Sequence, residues 1–261
     1  MTMISDSQVA AYERDGVVHI PNPFDDRRIA ELREAVDEAR ANPGKHARFW
    51  KTDARQSEFY EEAEVAQRSA AIRNFIDDSP AGEVAGQIMR ARHAYCIYDQ
   101  LFVKQAGEVV KGTDWHQDMP YMPFDGDQMC VMWMALDPVP KDNALQFLRG
   151  WHRSGQLYQF ATPGHPDLSL PPVPDIDEND PEVVSFACEP GDLVIFQMRT
   201  LHGAATRTNV SGQRRALATR WVGDEAVCHL EGRLNVIRKP LPLVPGRKVA
   251  ALAMTPQWSA G

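Results

Sequence analysis

From residue 94 onward the chain breaks into strand-length runs rich in β-branched, aromatic and aliphatic residues, at 95–104, 128–136, 144–148, 183–188, 192–197 and 214–222. Turn formers separate them: Gly107, Gly126, Pro138, Gly150, Pro190-Gly191 and Gly212. Several short strands at this spacing suggest a sandwich or barrel. With 261 residues, an all-β core and its elaborations are commonly one domain, so a single domain over 1–261 is expected. Residues 1–93 read as a mostly helical flank, 94–238 as the β core, and 239–261 as a proline-rich tail packed as coil.

The flank carries explicit helix signals. Ser5-Asp6-Ser7-Gln8 fits a capping box that opens a short helix. Residues 16–21 read as a short strand ended by Pro21. Asp25 and Asp26 start a helix whose apolar face is Ile29, Leu32, Ala35, Val36 and Ala39, stopping at Asn42-Pro43-Gly44. The acidic stretch from Glu58 to Glu64 reads as a solvated helix face. Ser79-Pro80 opens another helix carrying Val84, Ile88 and Met89. Within the β core, residues 153–182 break the pattern with six prolines and an acidic end. A loop longer than its connection requires is usually functional. A lid over a pocket is the expectation, with a plain surface excursion as the alternative.

The net charge of −8 argues against a nucleic-acid partner. No apolar run approaches a membrane span, and Met1 to Asp6 lacks the basic-then-apolar order of a signal peptide. Cys96, Cys130, Cys188 and Cys228 show no paired spacing and read as buried free thiols of a cytoplasmic protein.

Trp115-His116-Gln117-Asp118 places a His and an Asp two apart. On an extended segment both point to one face, where one metal ion takes both. Leu201-His202-Gly203 follows an apolar strand and offers a second His. Two His and one carboxylate leave open positions and suit non-haem Fe(II) that activates dioxygen. The remaining histidines His19, His46, His93, His165 and His229 lack a carboxylate at ligand spacing and read as surface or packing residues.

These segments together resemble the phytanoyl-CoA dioxygenase family of Fe(II)/2-oxoglutarate-dependent oxygenases. The resemblance runs through Asp15-Gly16-Val17-Val18, the Asp99 to Lys104 strand, the Trp-His-Gln-Asp block, Asn143-Ala144-Leu145, Gly150-Trp151-His152, Pro190-Gly191-Asp192, His202-Gly203, and Asn209 with the paired arginines. It implies a mainly β fold with flanking helices, namely a double-stranded β-helix (a cupin-like jelly roll). It also implies oxidation of an unactivated C–H bond of a small organic substrate, with 2-oxoglutarate and O2 converted to succinate and CO2. His116, Asp118 and His202 match the iron ligands. Asp118 speaks against halogenation, where a small residue replaces the carboxylate.

An arginine after the distal His grips the far carboxylate of 2-oxoglutarate in that family, a task that suits a guanidinium fork. Arg214 and Arg215 are adjacent, so a strand sends them to opposite faces. Register on Arg-Arg-Ala-Leu picks Arg214 and register on Asn209 picks Arg215; Arg214 is preferred. Thr113 and Phe102 are expected to touch the co-substrate. Gln100, Tyr98, Tyr121 and Trp133 are expected to touch the substrate. His152 is expected to be structural. Trp151 departs from the family's small turn residue, a departure that could shape the entrance, and Ala204 replaces a common hydrogen-bonding residue. The expected partner is a small molecule, with no nucleic acid or membrane, acting on a monomer or homodimer. The absence of an obvious basic cradle favours a small or neutral substrate. A metal-dependent hydrolase and a catalytically silent jelly-roll binding protein are the alternatives.

Overall fold

The computed structural model describes residues 3–51, 55–159 and 170–261. The flank begins with helix α1 (Asp6–Asp15), strand β1 (Val17–Ile20) and helix α2 (Asp26–Ala41). Ser5 caps α1 in a full capping box with Gln8, and Asp25 caps α2 through the Arg28 amide. Gly16 ends α1 at φ +77°, a left-handed turn that favours glycine. The flank continues with β2 (Ala47–Trp50), β3 (Phe59–Ala63), α3 (Ala70–Asp78) and α4 (Ala81–Ile88).

The core then runs through β4 (His93–Lys104), β5 (Gly107–Val110), β6 (Thr113–His116), β7 (Phe124–Asp125), β8 (Met129–Ala135) and β9 (Gln146–Leu148). It continues with β10 (Val183–Ser185), β11 (Leu193–Gln197), β12 (His202–Ala204), β13 (Arg207–Val210), β14 (Arg214–Gly223), β15 (Val227–Cys228) and β16 (Trp258–Ser259).

An eight-stranded sheet has the order β1-β11-β8-β14-β4-β3-β2, with β16 also on β4. A four-stranded sheet, β10-β9-β12-β6, faces it. Pairing is antiparallel throughout the named strands, and spatial neighbours are distant in sequence, as a jelly roll requires. Helices cover the outer face of the large sheet. Alternation therefore sorts β14 cleanly: Leu217 and Trp221 pack against the helical layer, while Ala216, Ala218 and Val222 point between the sheets. Strand β8 is covered on both faces, which explains its unbroken apolar run.

The acidic stretch is strand, not helix. In β3, Glu62 turns outward beneath the helices, where Arg68 donates to it at 2.5 and 2.9 Å and the Gly44 amide at 3.1 Å. Its alternate neighbours Phe59 and Glu61 face the interior of the roll. The acidic density read as solvation because the cation that covers buried Glu62, Arg68, lies six residues away, beyond what strand alternation predicts. The expected tail also differs in part: β16 adds to the large sheet, and the Arg238 and Lys239 amides both donate to Glu64. Among the described residues no helix is long and apolar enough to cross a membrane.

The described parts of 153–182 pack on the outside of the small sheet. Leu148, Tyr158 and Leu201 form a cluster there with Trp115, Trp151, Val173 and Ile176. None of the described residues of this stretch lines either cavity below. Residues 160–169, including His165 and part of the expected lid, lie outside the described residues. Trp151 belongs to this outer cluster rather than to an entrance.

Candidate active site

The site is assembled on one rung of the small sheet. Strand β12 pairs with β6 so that His202 and His116 are direct register partners, which cancels their separation in sequence. Their rings lie 4.2 Å apart, centre to centre. Asp118 does not continue the strand. Its backbone is helical (φ −80°, ψ −26°) and it begins a short 3-10 turn. That turn, rather than strand alternation, swings the carboxylate to the histidines. Oδ1 of Asp118 lies 3.6 Å from His116 Nε2 and 3.9 Å from His202 Nε2.

Each imidazole is oriented by a backbone carbonyl. His116 Nδ1 donates to Asp114 O at 2.8 Å, and His202 Nδ1 donates to Thr200 O at 3.1 Å. Both Nε2 lone pairs are therefore directed to the shared face, as in metal-binding histidines. His202 is held between Phe147 and Phe196. Burial, then the neighbouring His116, pushes its pKa down to about 3, so it is a neutral ligand at physiological pH. Burial would raise the Asp118 pKa, but Arg220, His202 and His116 outweigh it and hold the carboxyl below its usual range. Ligand atoms of the three residues lie within 4.8 Å of one another. Two imidazoles and an ionised carboxylate, all on one face, fit an Fe(II) ion.

Another grouping, His19, Cys188 and Asp192, is a clasp. The carboxylate there already accepts from the Asn22 and Glu189 amides and contacts His19 at 2.9 Å.

Two cavities adjoin the rung and share His116, Thr113, Phe102 and Arg220 in their walls. The inner one, about 80 Å³, ends on Arg214, Lys104 and Trp133. Arg214 is buried, donates to Asn143 O at 2.6 Å, and lies 6.0 Å from the Trp133 ring centre. Burial lowers its pKa to about 10. Lys104, its register partner on β4, is also buried. It donates to Lys111 O at 2.7 Å and approaches Thr113 Oγ1 at 3.4 Å. Burial, then the charges of Arg214 and Lys111, pushes its pKa well down. Neither cation pairs with a carboxylate among the described residues. Arg215 points to the other face and is bound by Asp137 at 2.7 Å and Asp37 at 2.6 Å.

The larger cavity, about 320 Å³, is lined by Tyr98, Gln100, Tyr121 and Phe102. Trp133 lies in the inner cavity instead. Sequence reasoning missed Trp50, Arg48 and Glu61 from β2 and β3, and Arg238 at the end of the core segment. Strand alternation in β3 would have found Glu61 had the stretch been read with period two. His46 also lines this cavity. Beside it the wall carries Arg48, Lys111 and Arg238, but also Asp114 and Glu61, the last 3.8 Å from Arg48.

Gly203 lets the two histidine strands close. A Cβ there would lie 2.9 Å from Thr113 O and 3.3 Å from Trp115 Cα. Gly203→Ala is therefore expected to push β12 from β6 beside the ligand rung. Metal affinity should weaken about tenfold or more with a smaller change in melting temperature, read by Co(II) titration.

Jelly roll, iron-ligand face and basic inner pocket together define the class: a non-haem iron dioxygenase dependent on 2-oxoglutarate. Residues 12–216 match the family model for phytanoyl-CoA dioxygenase, and the chain belongs to that family.

Solved structures of the same fold agree. The α-ketoglutarate-dependent carbocyclase SnoK from nogalamycin biosynthesis aligns at TM-score 0.70 and 20% identity, over 94% of this chain and 93% of that one. The epimerase SnoN, in complex with Fe3+, α-ketoglutarate and nogalamycin RO, aligns at 0.70 and 18%, over 97% and 98%. EctD from S. alaskensis, with 2-oxoglutarate and 5-hydroxyectoine, aligns at 0.65 and 20%, over 97% and 88%. No curated protein matches the chain in sequence.

Proposed function

We propose that this protein oxidises an unactivated C–H bond of a small organic substrate held in the larger cavity. In the overall balance, R–H, O2 and 2-oxoglutarate give R–OH, succinate and CO2. His116, Asp118 and His202 would hold the iron, which when bound supplies the oxygen chemistry. The observation that carries the reading is the pair of buried basic side chains, Arg214 and Lys104, beside the ligand face and without a carboxylate partner among the described residues. Buried charge is costly unless paired, so this pocket suits a dianion that brings its own negative charge. Arg214 would take the far carboxylate through its guanidinium, with Lys104 and Thr113 alongside and Trp133 and Phe102 closing the pocket from water.

A hydrolase would give the cationic pocket no role, and a silent binding protein would give the metal face none. Tyr98, Gln100 and Tyr121 would orient the substrate. The wall sets Arg48, Lys111 and Arg238 beside Glu61 and Asp114, a mixed lining that favours a polar substrate. The test is succinate formation from 2-oxoglutarate by protein loaded with Fe(II) without air, then given O2 and a panel of candidate substrates. At least one compound should stimulate succinate release and return with an added oxygen. Iron-dependent loss of 2-oxoglutarate absent under every condition, with no binding of it either, would remove the reading. Conversion to an isomer, ring or alkene would keep the co-substrate and replace hydroxylation.

A further inference from the structure

Arg220 stands where the ligand face and both cavities meet. It lies on the inward face of β14, and the ladder beside it is irregular. Arg220 pairs with Tyr98 but Trp221 pairs with Cys96, so β4 carries Ile97 as an extra residue. Such bulges re-aim side chains beside active sites. The guanidinium lies 5.3 Å from the Tyr98 ring centre, and its Nε donates to Asp118 Oδ2 at 3.0 Å. The other oxygen, Oδ1, is the one near both imidazoles. The two oxygens of one carboxylate thus have separate partners.

The contact is also incomplete as an ion pair. Arg220 Nη1 is buried and makes no hydrogen bond. A clasp serving stability alone would engage the carboxylate through two parallel N–H groups. This one uses a single N–H and leaves Oδ1 clear. Carboxylates bind metals through one oxygen or two, and a second bound oxygen would occupy a position that 2-oxoglutarate requires.

Resting on the iron and 2-oxoglutarate reading, we propose that Arg220 is a positioning residue. Its Nε–H holds Oδ2 so that Asp118 offers a single oxygen to the metal and the rest of the face stays open to the co-substrate. The function sits in the donor at Nε, not in the charge.

Two substitutions separate these. In Arg220→Gln the side-chain amide nitrogen lies at the same depth as Nε and keeps a donor without the charge. Arg220→Met fills the same depth without a donor. Both are compared with the wild type as full-length Co(II) protein, reading the visible cobalt spectrum and the 2-oxoglutarate dissociation constant. The Gln variant should keep the wild-type spectrum and a constant within about threefold. The Met variant should change the spectrum and weaken 2-oxoglutarate by about tenfold or more, with cobalt still bound. Equal behaviour of Gln and Met overturns the proposal. If Met does not fold, Gln decides alone: a folded Gln variant weakened by about tenfold or more overturns it, and one near wild type upholds it. A wild-type cobalt protein that binds no 2-oxoglutarate takes down the functional reading itself, an outcome distinct from any difference between variants.

Discussion

His116→Ala is expected to reduce iron-dependent succinate formation to background while the fold stays near wild type. The ring contributes one bare Nε2 to the ligand face and is only partly buried, and its other contact is a backbone carbonyl two residues away. Removing it takes away a ligand and little packing. Asp118→Ala should be equally inactive but also less stable, because it strands the buried Arg220 without its carboxylate. Breaking a buried pair from one side costs about 3–5 kcal/mol. Turnover assays and chemical denaturation of both variants check the pair of expectations. Wild-type turnover by His116→Ala would take the metal out of the mechanism. Equal stability of the two variants would show that the Arg220 contact contributes little.

Arg214→Ala should weaken 2-oxoglutarate by about one to two decades, since losing a charge-assisted hydrogen bond costs about 1.5–3 kcal/mol. Part of that loss is offset, because the variant no longer buries a cation. Arg215→Ala should leave 2-oxoglutarate affinity near wild type and lower stability instead. Its guanidinium ties β14 to Asp137 and to Asp37 of α2 on the outer face. Calorimetric titration of the Co(II) protein with 2-oxoglutarate, beside melting curves, distinguishes the two. The opposite pattern would assign the clamp to Arg215.

That Arg214 and Arg215 face opposite ways was legible in the sequence, because adjacent strand residues must alternate, while two registers left open which of them points inward. The grouping of His116, Asp118 and His202 was legible from context: a His and an Asp two apart are common by chance, but the clean strands and motifs around them are not. The helices of the flank were read correctly where caps announce them, at Ser5 and Asp25. What escaped was carried by pairing between distant segments. Nothing local marks Lys104 as a pocket cation. Its role follows from pairing with Arg214 across β4 and β14. Strand β3 was taken for helix because two consecutive glutamates look solvated until Arg68 and β4 cover them. Asp118 reached the predicted face by an unpredicted route, a backbone turn in place of a continued strand.

The walls and the floor of the larger cavity have different origins in the chain. Its floor is the ligand rung, held by hydrogen bonds between β6 and β12. Much of its wall comes from β2 and β3, which extend the large sheet beyond the roll, and from Val236 and Arg238 just before the tail. Residues 46–63 could therefore be exchanged between relatives as a cassette, altering which molecule is admitted while the oxidising machinery stays in register. Such an exchange would change the rim alone, since Tyr98, Gln100 and Tyr121 stay with the floor.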